Sequence, residues 1–168
     1  MAAMATDGKI ALAARVLGAI SLGAVGWIHL SEYNELYSTV PTIGTLFVLS
    51  FMGATATALG LLAPVEAVAA RLGLGRLGRL TVVALAAIGI GQAATQFVFL
   101  KISEHATLFG FHEPGYDPDG IRNVQIAEAA TVVLLTIFLI ARALRRTSNV
   151  EDTTASESRR RDHDLATR

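Results

Sequence analysis

The stretch that decides the fold is LTVVALAAIGIGQAATQFVFL, residues 80–100. It contains no charged residue, and Arg79 and Lys101 stand at its two ends. A helix rises about 1.5 Å per residue, so about 20 residues cross the roughly 30 Å hydrocarbon core of a bilayer. The length of this run and its lack of charge therefore predict a helix that crosses a membrane.

Three other segments have the same character. One of them carries Arg15 near its start, where a long basic side chain can reach the interface. Another contains Glu128, followed by a run rich in valine, leucine and isoleucine. The predicted spans are residues 12–30, 42–63, 80–100 and 121–144. We therefore expect an all-α integral membrane four-helix bundle, with residues 1–146 as its transmembrane domain.

The composition agrees with this interpretation. Hydrophobic residues make up 52% of the chain and charged residues 17%, against about 25% charged in an ordinary soluble domain. The 14 basic residues balance the 14 acidic ones, so no net charge argues for a nucleic-acid partner, and we expect none. The chain has no cysteine, which excludes disulfides, iron–sulfur clusters and zinc–thiolate sites within it.

Basic residues near the span ends predict the orientation in the membrane, because they favour the cytoplasmic side. Most of the basic residues near the span ends lie on one side: Lys9, Arg15, Arg71, Arg76, Arg79, Arg142, Arg145 and Arg146. The opposite side has only Lys101 and Arg122, among many acidic residues. Both termini are therefore expected in the cytoplasm, and the protein in the cell membrane. Residues 147–168 are polar and charged, which predicts a disordered cytoplasmic tail.

Small residues spaced along the spans indicate where helices approach each other. These are Ala19, Gly23 and Gly26 in the first span, Ser50, Gly53, Ala54, Ala58 and Gly60 in the second, and Ala87 and Gly91 in the third. Before the fourth span, Asp119 is expected to cap the helix that follows it.

Polar side chains within membrane spans are costly, and six of them fall at a similar depth near the outer ends of the spans. They are His29, Glu32, Gln92, Gln96, Gln125 and Glu128. We predict that they form an outward-facing polar pocket that binds a ligand: a metal ion, a haem, a quinone headgroup or a small polar solute. The alternative, that they are structural hydrogen bonds between helices, stays open.

For a metal ion the candidate ligands are imidazoles and one carboxylate: His29, His105, His112 and Glu128. A haem would use His29 and His105 as axial ligands. The sequence has no His-x-x-x-His or Glu-x-x-His spacing. It also has no nucleophile elbow, phosphate-binding loop or catalytic triad, so no catalytic residue is predicted and the sequence favours a protein that is not an enzyme.

Two segments carry a resemblance: GWIHLSEYNELYSTVPTIGTLFVLS, residues 26–50, and FGFHEPGYD, residues 109–117. They resemble small uncharacterised four-span proteins of high-GC bacteria. In its span count and its glycine-rich first helix ending in a histidine, the chain is also similar to the DoxX-like group. This resemblance implies a cell-membrane location and a redox-associated role, and it supplies no catalytic residue.

Three functions remain open from the sequence. The first is an accessory protein or small subunit of a membrane complex, which would have the lipid bilayer and a membrane partner or a second copy as its contacts. The second is a membrane redox protein that binds a quinone, a haem or a metal in the outer pocket. The third is a small dimeric transporter that uses Glu128 as its coupling acid.

Overall fold

The computed structural model describes the backbone of residues 2–113, 115 and 117–166, and the side chains of residues 8–113, 115, 117–145 and 147. This part of the chain is helical apart from short connectors and one loop, which confirms the predicted all-α fold. The helices are α1 (Ala2–Glu32), α2 (Pro41–Leu62), α3 (Val65–Arg71), α4 (Gly75–His105) and α5 (Pro118–Ala166). A π-helical turn, Tyr33–Tyr37, extends α1.

Four helical segments are long and apolar enough to cross a membrane: Gly8–Tyr37, Pro41–Leu62, Gly75–His105 and Pro118–Arg145. They contain the predicted spans to within one residue. Their outer faces carry large apolar side chains, with Trp27 67% exposed and Leu59 63% exposed. Hydrocarbon solvates such a surface and water does not, so the chain is a small multi-pass membrane protein. The boundary at residue 147 and the disordered tail stay predictions.

The four spanning helices form a bundle in which each helix has two main neighbours. Helix α1 packs between α2 and α5, α4 also packs between α2 and α5, and α1 and α4 lie diagonally opposite. Successive spans run antiparallel, so two ends of the bundle can be defined. We call the end that carries Glu32, Glu113 and Asp117 the acidic end, and the end that carries Arg15 and Arg142 the basic end.

The apolar core fills the half of the bundle nearer the basic end. Its buried members are Ala11, Ala14, Ala19, Leu61, Val82, Ala86, Leu135 and Phe138. At the surface of this half, Glu66 of the short helix α3 accepts hydrogen bonds from Arg142 at 2.5 Å and from Arg15 at 3.4 Å. These two ion pairs tie α3 to α1 and α5. The acidic half of the bundle contains the buried polar residues Ser103, Glu113 and Glu128 among apolar side chains.

Small residues allow close helix contacts in α1 and α2, as predicted, except at Gly23, whose Cβ position has nothing within 4 Å. A Cβ atom on Gly26 would lie 3.2 Å from the Cβ of Ala54, so the two backbones approach closely there. For the third span, the prediction that Ala87 and Gly91 face a neighbouring helix of the bundle was wrong. Gly91 has nothing within 4 Å of its Cβ position, and Gly89 instead contacts Leu135. Alanine and glycine are so frequent in α4 that small pairs four residues apart also occur on its exposed face.

The start of α5 differs from the prediction by two residues. Asp117, and not Asp119, caps the helix: its Oδ1 accepts the N–H of Asp119 at 3.1 Å and the N–H of Gly120 at 3.0 Å. Pro118 then occupies the first helical position, where its fixed φ angle and missing N–H cost nothing. This cap fixes the direction in which α5 enters the bundle and positions Glu128 three turns later.

Candidate functional site

A cavity of about 130 Å³ lies between α1, α2, α4 and α5 in the acidic half of the bundle. We call it the acidic-end cavity. Most of its wall is apolar, and its polar lining includes His29, Glu32, Tyr37, Gln96, Glu113 and Glu128. Four of the six residues that the sequence singled out therefore lie around one cavity, and Gln92 and Gln125 do not line it.

Glu128 is the most deeply buried polar residue of the cavity wall, with 1% of its surface exposed. Its Oε2 is buried and has no hydrogen-bond partner among the described residues. A buried carboxyl group without a donor is unfavourable by several kcal/mol in order of magnitude, and such groups in membrane spans generally mark functional sites. Glu128 is therefore the residue around which the site is organised.

Gln96, on the neighbouring helix α4, adds a second buried acceptor to the cavity wall. Its Oε1 is buried and has no partner among the described residues. Gln92, one turn earlier on the same helix, behaves differently: its Nε2 donates to the carbonyl oxygen of Ser50 at 3.0 Å. This bond links α4 to α2 where Gly53 leaves room for the amide group. Gln92 therefore forms a structural hydrogen bond between helices and does not face the cavity.

The imidazole ring of His29 also lines the cavity. Its Nδ1 lies 2.8 Å from the carbonyl oxygen of Val25. Because a carbonyl oxygen only accepts, Nδ1 carries the proton and donates it, and Nε2 of the neutral ring is left as an acceptor. The ring packs against Phe47 with the centroids 5.1 Å apart. The intrahelical bond fixes the tautomer and the direction of the ring.

Gln125 lies outside the cavity, on the contact between α5 and α4. Its Nε2 donates to Oε1 of Glu104 at 3.0 Å, and the other oxygen of Glu104 accepts from Lys101 at 2.8 Å. This network joins the two helices close to the acidic end. Gln125 therefore has a structural partner, as Gln92 does.

Tyr37 and Glu113 also line the cavity, although the sequence did not point to them as site residues. The hydroxyl of Tyr37 donates to Oε2 of Glu113 at 2.5 Å, and the N–H of Gly115 donates to Oε1 at 2.8 Å. The backbone N–H of Glu113 also donates to the carbonyl oxygen of Ser103. These bonds hold the loop that follows α4 against the mouth of the cavity. The only signal in the sequence was the mixture of aromatic and acidic residues in that loop.

The carboxyl groups of Glu32 and Asp117 form a second contact at the mouth of the cavity, between the end of α1 and the start of α5. These two groups lie side by side, since a Cβ atom on Gly120 would contact Glu32 Oε1 and Asp117 Oδ2 at once. The N–H of Gly120 and, after it, the neighbouring Glu32 carboxyl hold the pKa of Asp117 below its ordinary value.

The metal and haem versions of the site receive little support from the geometry. Among the described residues no three histidine, aspartate or glutamate side chains form a group able to hold a metal ion. His105 and His112 do not belong to the cavity wall, so they do not join His29 and Glu128. Drug-sized ligands occupy pockets of about 300–1,000 Å³, and the cavity, at about 130 Å³, is too small for a haem.

Comparison with known proteins adds no homologue to this picture: no family model, no curated protein and no solved structure matches the chain. The similarity to DoxX-like proteins stays a resemblance. The function therefore has to be inferred from the four-span architecture and from the chemistry of the acidic-end cavity.

Proposed function

We propose that this multi-pass membrane protein binds a small, largely apolar molecule that carries hydrogen-bond donors, and that Glu128 is its anchor in the acidic-end cavity. The observation that supports the proposal is the unpartnered Oε2 of Glu128, 1% exposed, in the wall of an existing cavity. Gln96 Oε1 and His29 Nε2 add two further acceptors. A ligand that donates to these atoms removes the cost of leaving them unpaired.

The size of the cavity limits the part of the ligand that enters it. At about 130 Å³, it is slightly smaller than an apolar cavity of about 150 Å³ that accepts a benzene molecule. A single six-membered ring is therefore at the upper limit of what fits inside, and any larger part of the ligand must extend out through the mouth. Phe47, Phe99 and Phe111 supply an apolar surface for such a ring.

The same chemistry bears on the redox hypothesis. A quinone headgroup carries two carbonyl acceptors, whereas its reduced form, a quinol, carries two hydroxyl donors. The acceptors of Glu128, Gln96 and His29 match the reduced form. A quinol is thus one member of the proposed ligand class. A role as an accessory subunit of a membrane complex is compatible with ligand binding, and we keep it as a proposal to be tested by co-purification from the native membrane.

Binding can be tested with three probes of nearly equal shape: toluene, phenol and benzylamine. Toluene has no donor, phenol has a neutral donor, and benzylamine has a charged one at neutral pH. Calorimetric titration of the purified full-length protein in detergent, corrected with protein-free micelles, gives the three affinities. We expect phenol or benzylamine to bind at least about fivefold more tightly than toluene, since one hydrogen bond contributes about 1 kcal/mol. Equal affinity for all three probes would contradict the proposal.

A further inference from the structure

We infer that the ligand of the acidic-end cavity is a small organic cation, a protonated amine with an apolar body, which pairs with the Glu128 carboxylate. The inference rests on the proposed function and specifies its ligand class. It combines three observations: the sign of the charges around the cavity, the way in which each acidic group is already satisfied, and the aromatic lining.

The acidic groups of the cavity are not balanced by basic side chains. Glu32, Glu113 and Glu128 all line it, and no lysine or arginine is among its described lining residues. The two basic side chains of this end are engaged elsewhere: Lys101 pairs with Glu104 at 2.8 Å and Arg122 pairs with Asp119 at 3.1 Å. The cavity therefore disfavours anionic ligands, and it favours a cation wherever one of these acidic groups is ionised.

Of these three acidic groups, Glu128 is the one that still needs a partner. Glu32 interacts with the neighbouring Asp117 carboxyl group, and both oxygens of Glu113 accept hydrogen bonds, from Tyr37 and Gly115. Oε2 of Glu128 has no partner among the described residues. A neutral donor would satisfy the hydrogen bond and leave the buried carboxyl group protonated. An ammonium group supplies both a donor and the counter-charge that allows the carboxyl group to ionise.

Aromatic rings surround the place where the body of such a cation would lie. Tyr37 stacks on Phe47 with the centroids 4.6 Å apart and meets Phe111 edge-on at 5.7 Å. Phe99 also lines the cavity. Faces of aromatic rings attract cations, and their area packs well against apolar carbon atoms. This lining does not favour a bare metal ion, which would need several oxygen or nitrogen ligands.

The test compares benzylamine with phenol on the wild-type protein and on two variants. Glu128→Gln removes the anchoring charge and keeps the size of the side chain. Glu104→Gln removes one charge from the same end without touching the cavity, and is the matched control. A charge-assisted hydrogen bond contributes about 1.5–3 kcal/mol. We therefore expect Glu128→Gln to weaken benzylamine binding at least about tenfold, and Glu104→Gln to weaken it less than about threefold.

The wild-type measurements alone keep the inference falsifiable if Glu128→Gln fails to fold. Benzylamine is expected to bind about two- to thirtyfold more tightly than phenol, since a charge-assisted hydrogen bond exceeds a neutral one by about 0.5–2 kcal/mol. Tight binding of phenol with no binding of benzylamine would overturn the cation and leave the proposed function intact. Failure of both probes to bind better than toluene would overturn the proposed function itself. Equal loss of benzylamine binding in the two variants would show a general effect of charge and would also overturn the pairing with Glu128.

Discussion

Replacing Glu128 by methionine is expected to stabilise the protein while abolishing binding of a donor ligand. Methionine keeps the unbranched shape of glutamate and removes the carboxyl group whose Oε2 is buried without a partner among the described residues. An unsatisfied buried polar group costs about 1–3 kcal/mol, and this cost disappears in the variant. For a chain of this length each kcal/mol shifts the unfolding midpoint by about 2–4 °C, so the midpoint should rise by about 2–12 °C.

The assay is thermal unfolding in detergent, followed by circular dichroism, with and without benzylamine. Benzylamine should raise the midpoint of the wild-type protein and leave that of Glu128→Met unchanged. Glu104→Gln serves as the control, since it should respond to benzylamine as the wild type does. A folded Glu128→Met protein that unfolds at a lower temperature than the wild type would refute the reasoning, because it would mean that the carboxyl group stabilises the fold.

Three further predictions concern packing, interhelical bonding and pH. Gly44→Ala should destabilise the protein by about 1–3 kcal/mol in thermal unfolding, because the added Cβ would lie 2.7 Å from the carbonyl oxygen of Tyr37. Gly91→Ala is the matched control, since nothing lies within 4 Å of the Cβ position of Gly91. An equal loss of stability in both variants would contradict the packing. Gln92→Leu should lower the free energy of unfolding by about 0.6–1.7 kcal/mol, because the hydrogen bond of Gln92 to α2 is lost. The affinity for benzylamine, measured by calorimetry, should stay unchanged. A large loss of affinity would show that Gln92 belongs to the binding site. The pKa of Asp117 is lowered from 3.8 in the folded protein, so the contribution of this carboxylate to stability is present above that value and is lost as the pH falls through the folded pKa. Unfolding midpoints measured from about pH 5 to about pH 2 should therefore fall less steeply in Asp117→Asn than in the wild type. Identical pH profiles would contradict the cap.

The spans were predictable from the sequence because hydropathy is a property of the chain read locally. Residues 80–100 had to be a spanning helix, since their length and lack of charge fit hydrocarbon and nothing else in the sequence interrupts them. The helix ends were less predictable. The real α4 begins at Gly75 and ends at His105, because a helix continues into the interface as long as its residues favour it, whatever their polarity.

The candidate site was predictable in depth but not in rotation. Gln92 and Gln96 share a helical face and a similar depth, yet Gln92 bonds to Ser50 and only Gln96 reaches the cavity. Which of the two glutamines bonds to α2 depends on where α2 approaches α4 most closely. The tertiary packing around Gly53 sets that point of approach. Hydropathy and helical periodicity contain no information about it.

Glu113 shows the second limit of the sequence. Its position in an irregular loop gave no periodicity from which to infer its direction, and only the fold brings it to Tyr37 of the π-helical turn. Two residues 76 positions apart thus close the mouth of the cavity. The glycines with positive φ angles at 110 and 115 allow the loop to turn back onto the bundle.

The most direct test of the central claim is difference infrared spectroscopy of the purified protein as benzylamine is added. If the amine pairs with Glu128, the wild-type protein will show a change in a carboxyl or carboxylate stretching band, Glu104→Gln will show the same change, and Glu128→Gln will not. Identical difference spectra for wild type and Glu128→Gln would contradict the claim that this buried carboxyl group anchors the ligand.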